Sequence, residues 1–359
     1  MAAVLLTGHG GLEKLEYRTD VPVPRPKNGE VLIQVGAAGI NNTDINTRIG
    51  WYSKAIVSET GEGGSAGFDT VDEADASWSG TPLEFPRIQG ADVCGRIVDV
   101  GSDVARDRIG ERVLVRNMLR TPVGYRPYEC WTLGSECDGG FAQFAVAPSR
   151  ETYAISSDFS DEELAAMPCA YSTAENMMHR AAVGKELVLV TGASGGVGLA
   201  AIQLAKRRGA TVIAVCSASK AADVMAQGAD RTVDRGADVV EAVGRGVVDV
   251  VIDLVGGPQC SQLLDTLRPG GRYAISGAIG GPVAEIDLRT IYLKDLSLLG
   301  CTFQEDEVFE NLICYIEHGE VRPVVARTYP LDQIAQAQEA FLTKEHTGKL
   351  VLVPPPSGA

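Results

Sequence analysis

The stretch from Glu186 to Cys216 constrains the fold of this chain more than any other. Glu186 to Thr191 reads as an apolar strand, Leu199 to Arg208 as a helix ended by Gly209, and Ala210 to Cys216 as a second apolar strand. The first strand and the helix are joined by Gly192-Ala-Ser-Gly-Gly-Val-Gly198, with Ala193, Gly195 and Gly198 in the three slots of a dinucleotide fingerprint. Gly195 lets backbone come close to a pyrophosphate, Gly198 lets the helix pack on the strand, and the helix N-terminus aims unpaired N–H groups at the anion. Ser194, Gly195, Gly196 and Val197 are the candidate cofactor contacts of this turn.

Around this unit the pattern divides. Val31–Val35, Arg96–Val100, Arg112–Val115 and Ala142–Val146 read as short strands separated by turn residues, with few helices. From about Asp161 helices alternate with apolar strands near 187–191, 211–215, 231–233, 248–253, 271–276 and 296–300, the pattern of a doubly wound parallel sheet. Val324–Tyr329, a helix at 331–342 and Lys349–Val353 return to the first pattern. The expected organisation is therefore a discontinuous, mostly β domain (1–150 and 322–359) and an α/β domain (151–321). Ser53 to Phe85 has no regular periodicity and is expected to form a mobile loop beside the active site, with Arg116 to Gly139 packed over it.

With 359 residues and 45% hydrophobic content, the chain has the profile of a globular enzyme. Its net charge of −15 argues against nucleic acid and anionic membrane partners. No apolar run is long enough to span a bilayer and Met1 to Gly11 lacks a signal pattern, so a cytoplasmic location is expected. The eight cysteines lack paired spacing and are expected to be reduced thiols.

The end of the second strand discriminates between cofactors. NAD-binding chains place an acidic residue there to accept from the ribose 2′-hydroxyl, whereas this chain reads Val215-Cys-Ser-Ala-Ser-Lys220. Ser217, Ser219 and Lys220 can donate to a 2′-phosphate instead, with Arg235 adding charge, which favours NADP(H).

Together with Glu30-Val-Leu-Ile-Gln-Val, Gly39-Ile-Asn-Asn-Thr-Asp44, Gly90-Ala-Asp-Val-Cys-Gly95, Val98-Asp-Val-Gly101 and the closing Gly348-Lys-Leu-Val-Leu-Val, the fingerprint resembles the medium-chain dehydrogenase/reductase superfamily. Within it the chain is most similar to the zinc-free, quinone oxidoreductase-like branch. The resemblance implies a GroES-like catalytic domain, a Rossmann cofactor domain and a homodimer paired through the sixth strand, where Leu296, Leu298 and Leu299 lie. It also implies cofactor contacts from Asn41, Thr173, Val255, Gly256, Gly277, Ala278, Cys301, Thr302 and Phe303, with Lys349 reaching the cofactor or the domain cleft.

Where zinc alcohol dehydrogenases of the superfamily carry their three metal ligands, this chain is similar only in Cys169, with Asn41 and Ala91 at the other two positions. One thiolate cannot hold a zinc that needs three protein ligands. Tyr52 falls where related 2-enoyl thioester reductases carry a catalytic tyrosine, and its hydroxyl would donate to a developing enolate, although a role as pocket wall weighs equally. Asn41 could bond to the nicotinamide ribose or a substrate carbonyl. The expected activity is NADPH-dependent reduction of a small electrophile, a quinone or an α,β-unsaturated carbonyl, without metal. The alternatives are an alcohol dehydrogenase, a 2-enoyl thioester reductase, or a non-enzymatic NADPH-binding structural or sensor protein.

Overall fold

The computed structural model describes residues 1–356, which fall into two units. The first comprises Met1–Ile56, Gly63–Cys169 and the C-terminal return from Pro323. Its main sheet has seven strands, in the order Thr152–Ala154, Arg112–Val115, Cys94–Val100, Glu30–Gly39, Lys349–Val353 and Val325–Pro330, with Phe144–Pro148 also on Glu30–Gly39. Glu30–Gly39 sits at the centre because Val31, Ile33 and Val35 bury one face of it against Ile97, Val113, Leu350 and Leu352.

One helix of this unit was not legible as such. α1, Asn42–Ile49, buries Ile45 and Ile49 one turn apart and ends at Gly50 in the left-handed region (φ +72°). Its N-terminus is closed by Asp44, whose Oδ2 accepts the backbone N–H of Asn41 at 2.7 Å.

The second unit, Ala170–Arg322 with Val57–Glu62, contains a six-stranded parallel sheet. Its strands are β1 (Leu187–Val190), β2 (Thr211–Cys216), β3 (Arg231–Asp234), β4 (Val248–Asp253), β5 (Leu267–Ile275) and β6 (Ser297–Gly300). They lie in the order β3-β2-β1-β4-β5-β6, so the direction of winding reverses between β1 and β4, where doubly wound sheets bind dinucleotides. α2, Gly196–Arg207, leaves β1 through the fingerprint turn and covers the sheet with Leu199, Ala200, Ile202 and Leu204. The GroES-like and Rossmann-like architecture expected from the sequence is therefore present.

The unit boundary lies at 169/170 instead of 150/151, because residues 151–169 are tied to the first sheet. Thr152–Ala154 pairs with Arg112–Val115, and Arg112 Nε donates to Asp161 Oδ1 at 2.7 Å. The segment 53–85 forms only a four-residue helix, Thr60–Gly63, and is anchored along its length. Ser53 Oγ accepts from Asp72 N (3.0 Å), Asp75 Oδ2 from Lys54 N (3.0 Å), and Gly64 O from the buried Arg48 Nη2 (2.7 Å). Ser79 N donates to Glu136 Oε1 at 2.9 Å, so the 116–139 excursion does touch it. No helix among the described residues is long and apolar enough to cross a membrane.

Candidate functional site

The expected cofactor residues of the second unit, Thr173 apart, lie at the carboxyl ends of its strands. In the fingerprint turn Gly192 adopts a positive φ (+57°), and a Cβ on Gly198 would lie 2.4 Å from Gly192 O and 2.6 Å from Ala193 Cα, so only glycine lets α2 start there. Gly195 differs. Its Cβ would meet nothing nearer than Gly192 O at 3.5 Å, and no side chain caps α2 in front of it. The turn is thus a cradle open on the side where the helix N–H groups point, the fit a pyrophosphate needs.

Ser217 and Ser219 share a contact at 3.3 Å in the turn that holds Lys220, and Arg235 N donates to Cys216 O at 2.9 Å at the neighbouring strand end. Val255 follows β4, Gly277 and Ala278 follow β5, and Cys301, Thr302 and Phe303 follow β6. Thr302 is exposed, whereas Cys301 and Phe303 are buried. Thr173, on the helix Pro168–Arg180, is half-buried.

Asp253, which the sequence reading passed over, organises this edge from within. Fully buried at the end of β4, it accepts from Thr191 Oγ1 (2.5 Å), Val255 N (3.0 Å), Gly256 N (3.2 Å) and the Tyr273 hydroxyl. It thereby fixes the turn that presents Val255. A lone carboxylate closing the apolar run Val250-Val-Ile-Asp253 was the available signal.

In the first unit three residues far apart in sequence, Asn41, Cys169 and Lys349, converge on the buried carboxylate of Asp92. Asp92 Oδ2 accepts from Lys349 Nζ at 2.9 Å and Asn41 Nδ2 at 2.8 Å, while Asp92 Oδ1 accepts from Cys169 N at 2.6 Å. Lys349 Nζ also donates to Asn41 Oδ1 (2.5 Å) and Ile40 O (2.8 Å). The strand at Gly39 can pass this close only without a side chain, since a Cβ there would lie 2.5 Å from Asp92 Oδ2. Burial pushes the nearby Asp44 carboxyl up to about 7, against the pull of Asn41 N–H and Lys349.

This geometry corrects two expectations. Lys349 does not present a free ammonium: it is 4% exposed and its three protons all go to groups of its own unit. Asn41 does not offer a free amide donor either, because its Nδ2 is held by Asp92 and Gly39 O and its Oδ1 by Lys349.

Tyr52 is half-buried, with its hydroxyl donating to Thr43 Oγ1 at 3.0 Å and its ring edge-on to Trp78 at 4.9 Å between centroids. Burial raises its pKa above the ordinary phenol value, so it stays protonated. Trp78 brings the irregular 53–85 segment against it.

The residues at the three metal-ligand positions do not fit a zinc. Ala91 has no donor atom, Cys169 is a single thiol, and the Asn41 amide oxygen already faces an ammonium. A dication placed beside that ammonium would meet a repulsion of roughly 4 kcal/mol per unit charge at 4 Å in a medium of intermediate dielectric.

Comparison with known proteins bears on the same two units. Residues 27–157 match the family model described as alcohol dehydrogenase GroES-like domain, and residues 196–317 match the one described as zinc-binding dehydrogenase. The chain is 30% identical over 365 residues to an acryloyl-coenzyme A reductase of Metallosphaera sedula, covering 98% of this chain and 99% of that protein. It is 29% identical over 368 residues to the quinone oxidoreductase of Homo sapiens, covering 98% of each. Among solved structures, a putative alcohol dehydrogenase from Sinorhizobium meliloti 1021 superposes with a TM-score of 0.86 at 46% identity, covering 99% of this chain and 97% of that one.

Proposed function

The chain belongs to the medium-chain dehydrogenase/reductase superfamily, and on that premise we propose that it is an NADPH-dependent, zinc-independent reductase of quinones or α,β-unsaturated carbonyls. The observation that carries this reading is the Lys349 ammonium lodged against Asn41, one of the three metal-ligand positions, and held there by Asp92. Without a Lewis acid the charge of a simple alkoxide has no strong partner, whereas a conjugated acceptor spreads its charge over several atoms. When bound, the nicotinamide supplies the hydride. The open turn at Gly195 to Gly198 would hold the pyrophosphate, and Ser217, Ser219, Lys220 and Arg235 the 2′-phosphate.

Tyr52 would act as a hydrogen-bond donor to the acceptor's oxygen, turning its hydroxyl proton from Thr43 Oγ1 to the substrate. Its raised pKa makes it a poor source of the proton itself, which solvent would deliver. Removing such a donor costs about 10²- to 10³-fold in turnover. Tyr52→Phe is therefore expected to lower kcat by that order while leaving NADPH affinity within about 2-fold. A kcat unchanged in the variant would make Tyr52 a pocket wall.

The decisive experiment follows NADPH oxidation over quinones, enones, 2-enoyl thioesters and aldehydes, alongside metal analysis of the purified protein. Turnover of simple alcohols alone, with zinc bound at one per chain, would overturn the reading. Similarity to a protein named acryloyl-coenzyme A reductase favours the enoyl thioester arm, since acryloyl thioesters are themselves conjugated acceptors.

A homodimer is part of the proposal. β6 lies at the edge of its sheet with Leu298 43% exposed, and Leu288, Tyr292 and Leu293 before it are 62–70% exposed, an apolar patch beside unpaired strand edge. Light scattering is expected to give twice the chain mass, and a single-chain mass would end that reading.

A further inference from the structure

The turn proposed to receive the 2′-phosphate holds a carboxylate that its own sequence does not contain. β2 and β3 pair in parallel with Cys216 opposite Asp234, so Asp234 emerges beside the residues that follow β2. Its Oδ2 accepts the backbone N–H of Ala218 at 2.9 Å, in the middle of Ser217-Ala-Ser-Lys220, and its Oδ1 accepts that of Gly236 at 2.8 Å. The carboxylate is thereby fixed on the backbone of Ala218, which Ser217 precedes and Ser219 and Lys220 follow in the chain. The Cys216 thiol, which burial pushes up, registers both charges: Asp234 raises it further and Lys220 lowers it.

We propose that Asp234 sets the choice between the two nicotinamide cofactors. Its carboxylate stands among the donors for the 2′-phosphate, weakens their hold on that dianion and leaves room for a cofactor with a free 2′-hydroxyl. A 2′-phosphate carries about 1.5 to 2 negative charges at neutral pH, so a fixed negative charge in the same turn opposes it directly. The 2′-hydroxyl of NADH carries none and meets no such opposition. The chain is then a reductase whose preference for NADPH is held down by one residue, and the inference rests on the nicotinamide reading above.

The test is titration of the full chain with NADPH and with NADH, followed by cofactor fluorescence, for the wild type, Asp234→Asn and Lys220→Ala. Asparagine removes the charge and keeps one carbonyl acceptor, so one of the two backbone bonds to Ala218 and Gly236 is retained and the other is lost. Asp234→Asn is expected to tighten NADPH about 10-fold and to leave NADH within about 2-fold, while Lys220→Ala weakens NADPH selectively. If NADPH affinity does not rise, or if both cofactors weaken alike, Asp234 is only a clasp for the turn and the proposal fails. If the wild type binds neither cofactor, the nicotinamide reading fails with it.

Discussion

Replacing Lys349 by methionine is expected to destabilise the protein by about 3–5 kcal/mol, the cost of leaving a buried carboxylate without its cation. Asp92 is fully buried and, among the described residues, Lys349 is its only charged partner, with Asn41 Nδ2 and Cys169 N the remaining donors. Neutral donors can hold a carboxylate but cannot cancel its charge. The Asn41 amide would lose the ammonium that fixes its oxygen, so the segment leading into α1 would loosen as well. In a thermal melt the shift should be on the order of 10 °C. The double variant Lys349→Met/Asp92→Asn should recover part of the loss, because it removes the stranded charge together with its partner. A single variant that melts with the wild type would show that the pair contributes nothing.

The same variant carries a signature in pH. Burial, more than any other cause, raises Asp44 to about 7, and Lys349 is one of the groups that hold it down. A carboxyl whose folded pKa exceeds its unfolded value of about 3.9 favours the folded state fully below that value, and the contribution is lost as pH rises through the folded pKa. Wild-type stability should therefore carry a declining component between about pH 4 and 7. In Lys349→Met the Asp44 value rises further, and the decline should extend into the alkaline range. Urea unfolding measured across pH 4 to 9 checks the sign, and a rising component over the lower range would refute it.

How much of this could be read beforehand depended on whether a signal was local. The alternating apolar strands and the Gly192–Gly198 turn are local patterns, and β1, β2, α2 and the closing strand Lys349–Val353 lie where they predict, within a residue or three. α1 was missed because Asn42-Thr-Asp-Ile-Asn-Thr-Arg-Ile49 carries only two apolar residues in a polar run, and its one helix signal is the Asn41/Asp44 pair at capping spacing. The partner of Lys349 was not legible, because its position before an apolar strand says nothing about which way it faces; the pairing of that strand with Gly39 brings it to Asp92. Asp234 was invisible for a similar reason. A search for an acid at the end of β2 examines the chain after Cys216, whereas the acid arrives from β3 through a register that sequence does not specify.

The two glycines in the fingerprint slots, Gly195 and Gly198, should respond in opposite ways to substitution, and Gly195→Asp is the more informative. Gly195 has φ −80° and ψ 171°, extended backbone that any residue adopts, and space around its Cβ. Aspartate is among the best N-capping residues, so at this N-cap it should leave the melting temperature unchanged or raise it slightly. Its carboxylate would also bond to the N–H groups that the pyrophosphate needs and repel the phosphates. Like-charge contact of this kind costs several kcal/mol, so affinity for NADPH and NADH should fall together by about 100-fold or more. Gly198→Ala should do the reverse in kind: its Cβ would press on Gly192 O and Ala193 Cα, and stability should fall because backbone has to move. If Gly195→Asp binds both cofactors as the wild type does, the pyrophosphate does not lie on this turn, and neither the cofactor assignment nor a role for Asp234 beside it survives.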